Sequence, residues 1–348
     1  MPEQEPTTPP SAPASTASPH PPTEDEERPQ PAGSADGEAS RSLVVRGWQR
    51  HARMIGLLIL VVVSTYGIHR FLTGDMEAVA AIWKSRITIL PVVFLFTMIN
   101  LSLEVAGWAW VFHRLGLKSN DLTTVGVCVS GKAGLLLPAQ LGRLIRPDLM
   151  ARLGRGTFGE NVKGEGAVFV LDALSVVALF AGLVAWRVHP LLGPAAFAVL
   201  VIVALFLGNG VAKLLSHTQL EFPRTFWWSW QAFAIVVVEA AGWAAHGTAF
   251  YVLTSDLPGN MTLWDALLLA PGSAVIGLAS GLPGGLGLTD GLLGASLGIG
   301  GIPAAHHVLG VALFRLITFW VVLGIGWLAL LWTGRQIHRR NLELQAEG

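Results

Sequence analysis

Arg315 stands in an apolar run, between Leu313-Phe314 and Leu316-Ile317. Counted from the start of that run near residue 304, it is about 11 residues in, or roughly 16 Å deep at 1.5 Å per residue. A cation at mid-bilayer costs about 2.5–3.5 kcal/mol even on the most lenient insertion scale, so it has to face protein or water and find a partner. Asp172, Asp290 and Glu239 also stand in or beside apolar runs and are the carboxylates that can supply one. The forked guanidinium suits a phosphate-bearing headgroup; a structural ion pair is the competing reading. Asp290 follows a Gly-rich turn and can either pair with Arg315 or cap the next helix. Arg143 and Arg146 are three apart, hence on one helical face. They can draw in an anionic lipid headgroup, or simply be surface charge facing anionic lipid. Glu104 and Glu239 are acids inside spans, where a carboxyl that can be neutral or charged is able to carry a coupling proton; a hydrogen-bonded packing role is the plainer alternative.

Other chemistries find no residues. No Ser-His-Asp set and no His-Glu-x-x-His run occurs, and the Gly-rich turn at 284–287 has no following Lys-Ser/Thr to cradle a nucleotide. His306 and His307 are adjacent, point to different faces and do not make a metal site. A single cysteine, Cys128, excludes an internal disulfide and any Cys-based cluster. No metal, cofactor or enzymatic activity is expected, and without a basic soluble domain neither is nucleic-acid binding.

Hydrophobic residues make up 52% of the chain and charged ones 13%, about half the charged share of a soluble protein. Several apolar runs reach spanning length, which makes this a membrane protein. Residues 1–45 are expected to form a disordered cytoplasmic tail: the first 40 hold ten Pro and eight acidic residues, with almost nothing to bury. A basic cluster follows at Arg41, Arg46, Arg50 and Arg53. Six spans are expected, near 53–72, 87–112, 164–186, 190–212, 226–253 and 304–332. Two further apolar stretches, 122–150 and 262–298, are broken by Pro138 and Gly142 and by Pro283, Gly284, Gly285 and Gly287. Pro stops a helix and Gly lets the chain reverse.

Two ordered echoes tie these elements together. Leu-Pro-x-x-Leu-Gly occurs at 137–142 and 282–287; Glu-x-Ala-Gly-Trp-Ala occurs at 104–109 and 239–244. Matched pairs in the same order indicate a duplicated unit. If both broken stretches are re-entrant hairpins, sixteen Lys and Arg fall on the side of the termini and four on the other, which sets both termini in the cytoplasm. The two motif-bearing spans then run in opposite directions and the halves are inverted, the arrangement of alternating-access transporters. The expected fold is therefore all-α and polytopic: about six spanning helices plus two re-entrant helical hairpins in an inverted repeat. Its transmembrane domain covers 46–335, with halves near 87–186 and 226–332, and a cytoplasmic tail over 336–348.

Leu282-Pro-Gly-Gly-Leu-Gly-Leu-Thr-Asp290, Leu313-Phe-Arg-Leu316, Gly324 and the first-half Leu137–Arg146 motif resemble the lysylphosphatidylglycerol synthase transmembrane, or flippase-like, family. The resemblance covers roughly 50–335. It departs at Asp290, where the family usually has Glu, and at Gln140, Arg143, Phe169 and Val170, where the family's charge pattern differs. The resemblance implies that Asp172 belongs to a family motif and pairs with an Arg. It implies a flippase-type transporter of an anionic phospholipid or lipid-linked saccharide in the cytoplasmic membrane, without the aminoacyl-transferase domain of bifunctional members. A non-transporting partner of a separate lipid glycosyltransferase or aminoacyl-transferase is the alternative.

Overall fold

The computed structural model describes residues 86–214 and 225–347, together with 81, 83, 84 and 222. The expected tail, the span near 53–72 and the basic cluster at Arg41, Arg46, Arg50 and Arg53 lie outside the described residues. Ten α-helices carry the described part: α1 Leu90–Arg114, α2 Leu122–Ser130, α3 Ile145–Arg152, α4 Phe158–Val188, α5 Leu192–Leu214, α6 Trp230–Thr254, α7 Leu263–Ala279, α8 Leu288–Ile299, α9 His307–Arg315 and α10 Val322–Glu347. Short 3-10 turns join several of them, and among the described residues there is no strand. Five helical stretches are long and apolar enough to cross a membrane: Ile87–Arg114, Phe158–Val188, Leu192–Val211, Trp230–Thr254 and Ala304–Ala346. The protein is a multi-pass membrane protein.

Helix ends differ from expectation where local chemistry overrides hydropathy. α4 starts at Phe158, ahead of the apolar run, because Thr157 and Glu160 close a capping box. α6 starts at Trp230, since Ser229 caps it by accepting the Ala232 N–H. α10 runs on through 336–347, where a tail is expected; that segment holds no Gly or Pro and is rich in good helix formers.

α1 and α6 are antiparallel, which their cross-contacts show directly. Arg86 pairs with Asp256, Asn100 donates to the Gly242 carbonyl, Gly107 packs on Glu239, and Arg114 donates to the Phe226 carbonyl. As the number rises on α1 it falls on α6. The helices bearing the repeated Glu-x-Ala-Gly-Trp motif are thus inverted with respect to each other.

Both broken stretches fold back as helical hairpins. The ends of the first meet where Arg155 grips Asp121 through both terminal nitrogens. The same guanidinium holds the Asp121 carboxyl below the usual carboxylate range. Within this hairpin the arms touch at Gly134 and Gly142. The ends of the second meet where the Asn260 N–H donates to the Gly300 carbonyl at 2.7 Å. The first base follows the end of α1 and the second follows the end of α6. Because those helices are antiparallel, the bases lie at opposite ends of the bundle. The tips meet between them: Gly284 lies against the Leu135 carbonyl.

The tips begin their turns alike. Leu137 and Leu282 are extended, and each precedes a proline that opens a 3-10 turn. Three residues after each leucine the chain takes a positive φ, 56° at Gln140 and 65° at Gly285. Glycine adopts that region freely; for glutamine it is a strained choice. The repeated sequence therefore encodes the same entry into the turn, after which the two part: Gly284 and Gly287 also take a positive φ, whereas Ala139 and Gly142 do not. Around the hairpins the core has two lobes, one built on Trp108, Phe112, Met150 and Leu171, the other on Phe250, Leu253, Leu293 and Phe314.

Candidate functional site

The hairpin tips, the two motif helices, α4 and the α9–α10 helix line a partly open cavity of about 170 Å³. Charged residues lining it are Glu104, Lys132, Arg143, Asp172, Glu239 and Arg315. Asn100, Trp243, His246, Thr289, Phe314, Thr318 and Phe319 complete its polar and aromatic wall.

On the first-half side three cations meet three carboxylates. Lys132, on the 3-10 turn of the first hairpin, bonds Glu104 Oε2. Arg146 sits behind it and makes three contacts: Nη2 to Glu104 Oε1 at 2.7 Å, Nη1 to Glu165 Oε1 at 3.1 Å, and Nε to the Cys128 carbonyl at 2.9 Å. Arg143 reaches Asp172 at 3.2 Å and Glu165 at 3.7 Å, with its guanidinium over the Phe169 ring. The two motif tryptophans finish the network. Trp108 Nε1–H donates to Glu165 Oε2 and Trp243 Nε1–H to Asp172 Oδ1, both at 2.8 Å. Glu165 and Asp172 are seven apart on α4 and so share a face. Each of these six charges has an opposite charge, and Glu165 and Asp172 each accept from a tryptophan N–H as well, as burial in low dielectric demands.

On the second-half side Arg315 ends α9, directly before a π-helical turn at Leu316–Val321. Such turns are rare and frequent at functional sites. Its Nη2 donates to the Gly284 carbonyl at the second tip, at 3.0 Å. Its Nε is 2.9 Å from Asp290 Oδ1, an ion-pair contact off the line of a hydrogen bond. The guanidinium lies 4.2 Å from the Phe319 ring centroid. Asp290 fills both roles open to it, since its Oδ2 also accepts the Gly287 N–H at 2.8 Å and closes the first turn of α8. Of the three carboxylates open to Arg315, Asp290 is its partner.

Glu239 is the exception. It is 4% exposed, and its Oε1 is buried without a hydrogen-bond partner. The same oxygen lies so close to Gly107 that any side chain there would collide with it. Its repeat mate Glu104 has two cations. The offset of 145 between the hairpin motifs puts Gly277 and Gly291 where the first half has Lys132 and Arg146. Sequence divergence has kept the acid in both halves and its partners in one.

A family model described as the Lysylphosphatidylglycerol synthase TM region matches residues 53–326. The chain belongs to this family. A comparison with curated proteins returns no match. Within this LPG synthase TM region, the candidate residues divide by position. Arg143, Arg315, Asp172, Glu104 and Glu239 line the central cavity, and Asp290 reaches it through Arg315. Arg146 does not line it. Its side chain is 5% exposed against 26% for Arg143, and its donors are spent on carboxylates and a carbonyl. Its place is to hold the first hairpin against α1 and α4.

Lys132, Glu165, Trp108 and Trp243 belong to the same network; the tryptophans carry a sequence signal as the repeated motif residue, and Lys132 carries another. Lys132 is a single cation between Gly131 and Gly134 in an otherwise apolar stretch. An intramembrane charge of that kind points to a site. His306 and His307 are away from the cavity; His307 Nε2 contacts the Ile302 carbonyl, and among the described residues no group of His, Cys, Asp and Glu could hold a metal.

Proposed function

We propose that the protein is a flippase-type transporter that moves an anionic phospholipid or lipid-linked saccharide across the cytoplasmic membrane, with both termini in the cytoplasm. One observation carries this reading. Two inverted hairpins meet tip to tip beside a cavity into which Lys132, Arg143 and Arg315 project, one set of cations from each half. Non-helical backbone at that depth persists only where it is buried in protein or lines a wet cavity. In this reading the hairpins dip into the bilayer from opposite sides and are re-entrant. The headgroup phosphate displaces the carboxylates from Arg143 and Arg315, while the acyl chains stay in lipid. Guanidinium forks suit that exchange, because carboxylate and phosphate offer the same paired acceptors.

At about 170 Å³ the cavity is below the usual range of roughly 300–1,000 Å³ for ligand sites. A headgroup therefore needs the two halves to part, and Glu104, Lys132, Arg143 and Asp172, part-exposed as they stand, are already within reach of solvent. Glu239 is the better candidate for a coupling proton, since Glu104 is held by two cations. Transport is favoured over catalysis because the hydroxyls on the cavity wall, Thr289 and Thr318, point at the backbone carbonyls of Ser273 and Phe314 and not at a base.

A second reading, a non-transporting partner of a lipid-modifying enzyme, draws on a different observation: each cavity-lining cation already has a carboxylate. The two readings separate in vesicles. Purified protein is reconstituted with a trace of headgroup-labelled phosphatidylglycerol, and leaflet exchange is followed by a membrane-impermeant quencher. The transporter reading expects exchange above protein-free vesicles and its loss in Arg315→Ala. Equal rates for the two proteins remove Arg315 from the mechanism, and no exchange with any anionic lipid favours the partner reading.

A further inference from the structure

At the foot of the first hairpin lies a second cavity, of about 760 Å³, on the face that the charge count assigns to the cytoplasm. Its walls are the α1–α2 connection at Gly116–Lys118, the hairpin exit at Leu153–Gly156, and the last turns of α10. Four cations line it, Lys118, Arg155, Arg339 and Arg340, against one acid, Glu343. Arg155 is committed to Asp121. The other three have no carboxylate at ion-pair distance among the described residues. That sets them apart from the bundle interior, where Lys132, Arg143, Arg146 and Arg315 are all paired.

Arg340 supplies a second observation. Its guanidinium lies against the backbone of Gly154, where any side chain would collide with Nη2. Gly154 has a φ of +65°, so the turn that makes this room also needs glycine. Nη1 is buried and has no hydrogen-bond partner. A buried charged donor without an acceptor is costly, and three like charges around one concavity raise the local potential further. Arg340 as a whole is part-exposed, and an anion with several oxygens would lower that potential and offer its guanidinium the acceptor it lacks. Plain interfacial charge facing anionic lipid explains neither the concave backbone wall nor the buried orphan donor.

We propose that this pocket is a binding site for a phosphorylated anion, held by Lys118 on one wall and by Arg339 and Arg340 on the other. A lipid headgroup and a soluble phosphorylated metabolite offer the same chemistry to these donors. The occupied site ties the end of α10 to the foot of the first hairpin, beside the Asp121–Arg155 clamp. This inference does not rest on the transport reading, and its test uses no transport.

The test is equilibrium binding of inorganic pyrophosphate to the full chain in detergent. It is repeated in nanodiscs of phosphatidylcholine alone and of phosphatidylcholine with phosphatidic acid. Saturable binding is expected, weakened about tenfold by Arg340→Gln, the loss of one charge-assisted contact. Arg335→Gln removes the same charge from the same helix outside the pocket and should leave the affinity unchanged. Competition by phosphatidic acid assigns the phosphate to a headgroup; undiminished binding assigns it to a soluble ligand. Lys118→Gln repeats the test from the opposite wall should Arg340→Gln fold poorly. Absence of saturable binding to wild type in both media overturns the proposal. So does an Arg335→Gln effect equal to that of Arg340→Gln, since diffuse charge would then account for the binding.

Discussion

Arg146→Met removes the guanidinium that joins the first hairpin to α1 and α4 while leaving a stem to pack on Gly131, which the arginine side chain covers. Three contacts go: to Glu104 at 2.7 Å, to Glu165 at 3.1 Å and to the Cys128 carbonyl at 2.9 Å. The losses are unequal. Glu104 keeps Lys132, whereas Glu165, with a side chain 6% exposed, keeps only the Trp108 N–H and a 3.7 Å approach by Arg143. Stripping one member from a buried pair costs about 3–5 kcal/mol; the surviving partners argue for the lower end, about 3 kcal/mol. Glu165→Gln in the same chain removes the stranded charge and keeps an acceptor for Trp108, so the double variant should recover part of the loss, with a coupling energy of about 1–3 kcal/mol. The assay is denaturant unfolding in mixed micelles of wild type, both single variants and the double. Arg146→Met within about 0.5 kcal/mol of wild type, or additive effects in the double variant, would refute the claim that this pair holds the hairpin in place.

The two repeat-related acids should behave oppositely. Glu104→Met strands Lys132, while Arg146 keeps Glu165, and should cost about 3 kcal/mol, whereas Glu239→Met removes an unpartnered buried acid and should be neutral or stabilising by about 1 kcal/mol; thermal unfolding of both checks this. Gly326→Ala places a Cβ 2.5 Å from the Ala133 backbone nitrogen, whereas a Cβ at Gly324 meets nothing within 4 Å. The first should cost about 1–3 kcal/mol as overpacking and the second should stay within about 0.5 kcal/mol, compared by unfolding midpoints. The Asp121 carboxyl is held below its ordinary range by Arg155, so the clamp stabilises above the unfolded value near 4 and is lost as pH falls through the folded one. Asp121→Asn should therefore unfold more readily than wild type at pH 7, with the difference shrinking progressively below about pH 4; a gap that stays constant to low pH would remove the clamp's charge from the explanation.

Which parts of this arrangement can be read in the sequence follows from what encodes them. The hairpins are legible because glycine and proline encode a turn locally, and the repeated Leu-Pro-x-x-Leu-Gly shows that the chain breaks and reverses twice. The inversion follows from counting charges on loops, and the register of α1 against α6 bears the same relation in space. Arg315 and Asp290 are legible as partners because intramembrane charges are few and one of few must answer another. The first-half network is not. Glu165 follows Lys163 at the start of α4, in a stretch that reads as interfacial, and nothing local says that it turns inward to Arg146 and Trp108. Arg146 carries the family motif, yet its burial depends on α1, α4 and the hairpin closing around it, which is tertiary information. The π-helical turn after Arg315 has no composition of its own, and the basic pocket combines residues from three separated segments.

The sidedness of the hairpin bases bears most directly on whether two inverted hairpins meet inside the membrane. With Cys128 replaced by Ser, single cysteines are placed at Asn120 and Thr157, which flank the first hairpin, and at Pro258 and Pro303, which flank the second; all four positions are exposed. Each is labelled with a membrane-impermeant maleimide in right-side-out and inside-out vesicles. Positions 120 and 157 should label from one side only, and 258 and 303 from the other side only. Labelling of 120 and 157 from opposite sides, or of 258 and 303 from opposite sides, would make that stretch a through-going span and contradict the inverted-hairpin architecture.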